Sequence, residues 1–246
     1  MPLLFDESAV NQFLLKSAMR SDLSDKVVHD NFIMDTASHT FTIIKDDGLY
    51  KHLRYATPGD SLYAMSIVTW PGYLSVSGDV GDYMFSHEVD MIGLFRRTSS
   101  VKYWMEKCVS LDKDAGLTTY DPREAVAFVI DYVNELDDEK KLSIHDREKI
   151  QSKLISLLTE LMTSSSSSEA LHHIMSFNYE FEDGSEFNFL DSGLESNFTV
   201  PAYHFKYVLH GIAKVIALYD ELTLKKLPSE GVIYGKSASP KRKASL

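Results

Sequence analysis

Between Ser61 and Phe85 the chain reads SLYAMSIVTWPGYLSVSGDVGDYMF, a pattern that few folds accommodate. Tyr63, Met65 and Ile67 alternate with Ala64, Ser66 and Val68, the period-two signature of a strand with one buried face. Pro71-Gly72 then supplies a turn, proline presetting the first corner and glycine reaching positive φ at the second. Leu74, Ser75, Val76 and Ser77 alternate again, and Gly78–Asp82 makes a second reversal before Tyr83-Met84-Phe85. The stretch predicts a three-stranded antiparallel meander with one apolar face. A type II turn splays a hairpin, so the connection at Pro71-Gly72 is expected to exceed two residues.

An apolar sheet face needs a cover, and the next segment supplies one. Val89, Ile92, Leu94 and Phe95 precede Arg96-Arg97, while Val101, Trp104, Met105 and Cys108 recur at helical spacing. Upstream, residues 6–20 hold Val10, Phe13 and Leu14 at the spacing of a short amphipathic helix. His39–Ile44 and Lys51–Tyr55 read as further strands, separated by Asp46-Asp47-Gly48 and followed by the turn Thr57-Pro58-Gly59-Asp60. Residues 1–110 are therefore expected to form a small antiparallel sheet with flanking helices, the core of an α+β fold.

Residues 111–235 change period and predict a mainly helical part packed on that sheet. Asp121-Pro122-Arg123-Glu124 is a helix start, with Val126, Val129, Ile130, Val133 and Leu136 as the buried stripe. Ser143 caps a second helix whose Ile150, Leu154, Leu157, Leu158 and Leu161 point inward. The serine run Ser164–Ser168 reads as a flexible connector. Phe177–Phe181 and Phe187–Phe189 flank Asp183-Gly184 as an aromatic hairpin, and Pro201 opens a long helix to about Leu224. Residues 236–246 form a basic, mobile tail.

The strings His52-Leu53-Arg54, VTWPGYLSVSGDVGDYMFS (Val68–Ser86), Asp90-Met91 and Phe95-Arg96 resemble a family of phage and prophage proteins. The resemblance implies a viral origin and an infected bacterial host, and it brings no catalytic residue with it.

Composition sets outer bounds. An apolar content of 44%, with 13 Tyr and 13 Phe, describes a chain that packs a core. No apolar run approaches the length of a membrane span. The opening MPLLFDESAV lacks the basic region of a secretory signal, which predicts a cytoplasmic location in the host. A single cysteine, Cys108, rules out an internal disulfide framework and reads as a buried thiol on a helix stripe. Net charge is −11; residues 236–246 hold four bases and no acid, so the preceding body carries −15. Such a body repels phosphates and disfavours direct nucleic-acid binding.

Candidate chemistry is sparse. Asp79 and Asp82 flank Gly81 and are the one pair that could serve a hydrolase or nuclease with a bound cation, although aspartate is also what turns use. His172-His173 and His204/His210 miss the spacing of shared helical ligands, and no HExxH, GxSxG, Walker or GxGxxG string occurs. No metal and no cofactor is expected. The predicted helix Asp121–Glu139 holds seven carboxylates against Arg123 alone, and its ordinary reading is a solvated face. Tyr63, Trp70, Tyr73 and Tyr83 are expected on the exposed side of the meander, where aromatic residues anchor interfaces. The sequence thus favours a phage accessory protein that binds a host protein complex and inhibits an antiviral defence. Trp70, Tyr73, Asp131, Glu135 and Asp138 are its expected contacts, and no residue is assigned a catalytic role. Two alternatives stand beside it: the Asp79/Asp82 enzyme, and a structural component forming homo-oligomers through its apolar helices.

Overall fold

The structure is a computed structural model that describes residues 24–113, 116–140, 143–190, 192 and 197–226. The predicted helix within residues 6–20 and the basic tail at 236–246 lie outside the described residues, as do the side chains of Leu136 and Asp138. The fold is α+β.

Helix α1 (Asp25–Asp35) leads into a six-stranded antiparallel sheet whose order in space is its order in sequence. Its strands are β1 (Thr40–Asp47), β2 (Tyr50–Ala56), β3 (Met65–Trp70), β4 (Tyr73–Gly78), β5 (Tyr83–Ser86) and β6 (Cys108–Leu111). Between β5 and β6 the chain makes two short helices, α2 (Met91–Arg97) and α3 (Val101–Lys107). The three-stranded meander is therefore the middle of a larger sheet. Cys108 does not continue the helix stripe: it caps α3 and opens β6, pairing with Phe85, and its thiol donates to the Ser110 carbonyl.

The β3–β4 connection is two residues long, contrary to the expectation of a longer loop. Trp70 pairs directly with Tyr73, and Gly72 takes φ of 86°. The segment before α2 props this turn, since the Gly72 amide donates to the Val89 carbonyl and the His87 amide to that of Gly72. At the far end of β4, a Cβ on Gly78 would lie 1.9 Å from the Ala64 carbonyl oxygen, so glycine is required for the strands to close there.

One face of the sheet is buried. Leu53, Met65, Ile67, Leu74, Val76, Tyr83 and Phe85 pack against Phe32 of α1, Trp104 of α3 and the last helix, α7 (Tyr203–Lys226). Phe205, Val208, Ile212, Val215 and Ile216 form the apolar stripe of α7. The final helix thus closes the first core although it comes last in the chain.

A second core lies in the intervening residues. Helices α4 (Pro122–Lys140), α5 (Ile144–Thr163) and α6 (Ser167–Met175) enclose Val126, Val129, Ile130, Val133, Leu154, Leu158 and Leu161 with the aromatics of the hairpin β8 (Asn178–Glu180) and β9 (Glu186–Asn188). The chain enters through β7 (Thr118–Tyr120) and leaves through β10 (Thr199–Pro201), which pair antiparallel. Pro201 therefore ends a strand instead of starting a helix. It has no amide to donate, and Ala202 makes the next bond, to the Leu117 carbonyl.

The serine run is not a flexible connector. Ser164 is buried and caps α5, while the Ser166 hydroxyl accepts the Glu169 amide at the start of α6. Glu169 reaches back to the amide and hydroxyl of Ser165 at 2.7 and 2.9 Å, which holds its carboxyl below the usual carboxylate range. Serine at consecutive cap positions satisfies helix ends that a solvated linker would leave open.

Candidate functional site

The expected contact residues divide between the two cores. Trp70 and Tyr73 belong to the sheet, where their cross-strand pairing stacks the rings at 5.3 Å and 19°. Trp70 is half-buried and Tyr73 is exposed. The other two aromatics expected on that face are not there: Tyr63 is half-buried and packs against the core, its ring 5.9 Å from that of Tyr207 on α7, and Tyr83 is buried outright. Tyr83 is 1% exposed on the core face, packed on Phe205. Burial pushes its hydroxyl up to about 12, and among the described residues that hydroxyl has no hydrogen-bond partner. Across the four-residue connection Asp79–Asp82 the strands pair Val76 with Tyr83 and Leu74 with Phe85, so Tyr83 and Phe85 share the buried side.

Asp131 and Glu135 sit on α4, one turn apart and exposed. Neither has an ion-pair partner among the described residues. Asp121, at the foot of the same helix, behaves differently: it is 4% exposed and held by the Arg123 guanidinium, and it also accepts the Arg123 amide at 2.9 Å. The acidic face therefore begins beyond Asp121, with Glu124 exposed in the first turn. The one arginine of the helix serves the buried carboxylate. Asp138 lies on α4, with its side chain outside the described residues.

Asp79 and Asp82 are both committed to backbone amides, Asp79 to the segment before β3 and Asp82 to the end of β4. Asp79 Oδ2 accepts the Tyr63 amide at 3.0 Å and Asp82 Oδ1 accepts the Gly78 amide at 3.3 Å. The first of these bonds holds Tyr63 at a φ of 54°, a left-handed conformation rare for tyrosine. No group of three or more His, Cys, Asp or Glu side chains among the described residues is placed to hold a metal ion. Burial pushes the Cys108 thiol up, away from a reactive thiolate. His204 and His210 lie on α7, and burial pulls the His210 ring below the usual histidine value.

One feature escaped the sequence reading. The outer face of the sheet bears Arg54, opposite Thr42 on β1 and Ser66 on β3, with the loop Thr57–Ser61 rising beside it. The signal was present: with Leu53 and Tyr55 inward, alternation puts His52 and Arg54 outward.

No protein-family model, no curated protein and no solved structure matches this chain. No helix among the described residues is long and apolar enough to cross a membrane.

Proposed function

We propose that this protein acts by stoichiometric binding, without chemistry of its own, to a protein complex of a bacterial host. In this reading it is a phage accessory protein that inhibits an antiviral defence. The observation that carries it is the pair Asp131 and Glu135, exposed at i, i+4 on α4 with no cation paired to them among the described residues, in a chain of net charge −11. Like charges one turn apart destabilise a helix slightly, and a basic partner surface relieves that cost. The complementary surface on the partner is one that handles nucleic acid, where a row of carboxylates stands in for phosphates. The stacked Trp70 and Tyr73 add an aromatic anchor of the kind that concentrates binding energy. The resemblance of Val68–Ser86 to phage proteins supports the viral setting.

The test is recovery of a partner from host lysate on immobilised protein. The expected result is one host complex at stoichiometric yield, lost when Asp131→Lys and Glu135→Lys are combined and weakened by salt. Recovery unchanged by the double reversal, or of chaperones alone, overturns the reading.

A further inference from the structure

The outer face of the six-stranded sheet differs in charge from the rest of the molecule. The protein holds 36 acidic residues against 25 basic, yet the only acids in the six strands are Asp46 and Asp47 at the end of β1, and none of β2 to β6 contains an Asp or a Glu. Asp46 is bonded to Lys51 and Tyr219, and Asp47 lies 3.9 Å from Lys45. Where strand pairing lines residues up on that face, it shows Ser66 beside Ser77, Val68 beside Ser75, and Trp70 beside Tyr73. Arg54 stands at one end of the array. Its Nη1 donates to Ser66 Oγ at 3.1 Å, and among the described residues no carboxylate pairs with it, so Nε and Nη2 remain to donate.

Arg54 also lines a recess of about 420 Å³, floored by Thr40 and Thr42 and walled by the loop from Thr57 to Ser61. The hydroxyls of Thr42 and Ser61 make no hydrogen bond among the described residues. Asp60 is the one carboxylate in the lining, and its Oδ1 turns back to accept the Leu62 amide at 3.0 Å. From the Arg54–Ser66 row to Trp70 is four residues along β3, about 13 Å at the rise of a strand.

We infer that this face docks an acidic segment of a partner protein, one carboxylate lying in the recess on Arg54 and an apolar side chain four residues further resting on Trp70 and Tyr73. A planar guanidinium with two donors free matches a single carboxylate bidentately. A polyanion such as a nucleic acid would meet the repulsion of the whole molecule, whereas one or two carboxylates on an otherwise neutral segment meet it weakly. The serine rows offer donors and acceptors to an extended backbone laid across them. This surface is separate from α4. It shares Trp70 and Tyr73 with the function proposed above, while Arg54 and the recess belong to this inference alone, and Arg54→Gln against the Asp131/Glu135 pair tells the two apart.

The experiment follows backbone amides and the tryptophan indoles of the whole ¹⁵N-labelled protein by NMR. The probe is an acetylated, amidated peptide with one glutamate and, four residues on, one leucine, spaced by serine and glycine. The same peptide with glutamine for glutamate, and inorganic phosphate, are titrated beside it. The expected result is a saturable shift of Thr42, Arg54, Ser66 and the Trp70 indole. Affinity should fall at least tenfold with the glutamine peptide or with Arg54→Gln, at an unchanged unfolding midpoint. The pair Asp131→Asn and Glu135→Gln should leave it unaltered. The inference is overturned by affinity indifferent to Arg54→Gln, or by the absence of any response to millimolar glutamate peptide. Phosphate binding at Arg54 without a peptide response overturns it in favour of a phosphorylated ligand. Self-association abolished by Arg54→Gln overturns it in favour of a second copy of this chain.

Discussion

Tyr219, near the end of α7, donates its hydroxyl to Asp46 Oδ2 on β1 at 2.9 Å, joining the last helix to the first strand of the sheet. Lys51 completes the contact, bonding Asp46 while its ammonium lies 4.9 Å from the centre of the Tyr219 ring. Burial works against the lysine charge there, but its bonds to Asp46 and Tyr219 together raise its pKa. Tyr219→Phe keeps the ring and removes one hydrogen bond, so a loss of about 1 kcal/mol is expected. Urea denaturation at an unchanged m-value measures it, and Tyr219→Ala should cost more because the packing goes too.

Two glycines at positive φ should respond very differently to alanine. Gly78→Ala drives a methyl into the Ala64 carbonyl, and the strands must separate to admit it. A loss of about 3 kcal/mol is expected. Gly59, at φ of 81° with no atom near its Cβ position, meets only backbone strain, about 1 kcal/mol. Thermal melts of the two variants side by side test the difference; equal losses would contradict the close approach at Ala64.

His210 gives stability a dependence on pH. Its pKa is lowered by burial, helped by His29 at 5.1 Å and by Lys206, while Asp25 pulls the other way. The native state therefore binds this proton less readily than the unfolded chain does. Stability from this group is complete above the ordinary histidine value of 6.5 and declines as pH falls through the lowered native value. Melting temperatures at pH 7.5 and 5.5 should differ less in His210→Gln than in the wild type.

The cap of α6 is a local test of the serine run. Ser166→Ala removes the acceptor for the Glu169 amide and should cost about 1 kcal/mol. Ser168→Ala, inside the helix, should be neutral or slightly stabilising, since alanine is the better helix former. A flexible connector would show no difference between the two.

What the sequence disclosed follows the range of each signal. The stripe of α4 was legible because Val126, Val129, Ile130 and Val133 repeat at helical spacing behind an Asp-Pro start, all within one element. The meander was legible for the same reason, with period two in place of 3.6. Cys108 was misplaced because helical spacing runs through it, while the pairing with Phe85 that makes it a strand residue lies 23 positions away. Tyr83 was placed on the wrong face because alternation says nothing about parity across a reversal. The recess at Arg54 depends on a loop folding beside a strand pair, a juxtaposition with no local trace. The acidic face was legible in charge, but that Arg123 is spent on Asp121 became visible only with Asp121 buried.

The pairing of β7 with β10 has one more implication. Because the chain departs from and rejoins the sheet core through adjacent antiparallel strands, the described residues between Asp121 and Phe198, with a core of their own, form a cassette plugged into a scaffold. A cassette of that kind can be exchanged or remodelled over evolutionary time without rethreading the scaffold, so related chains should diversify there first and keep the ribbon of strands as a common chassis.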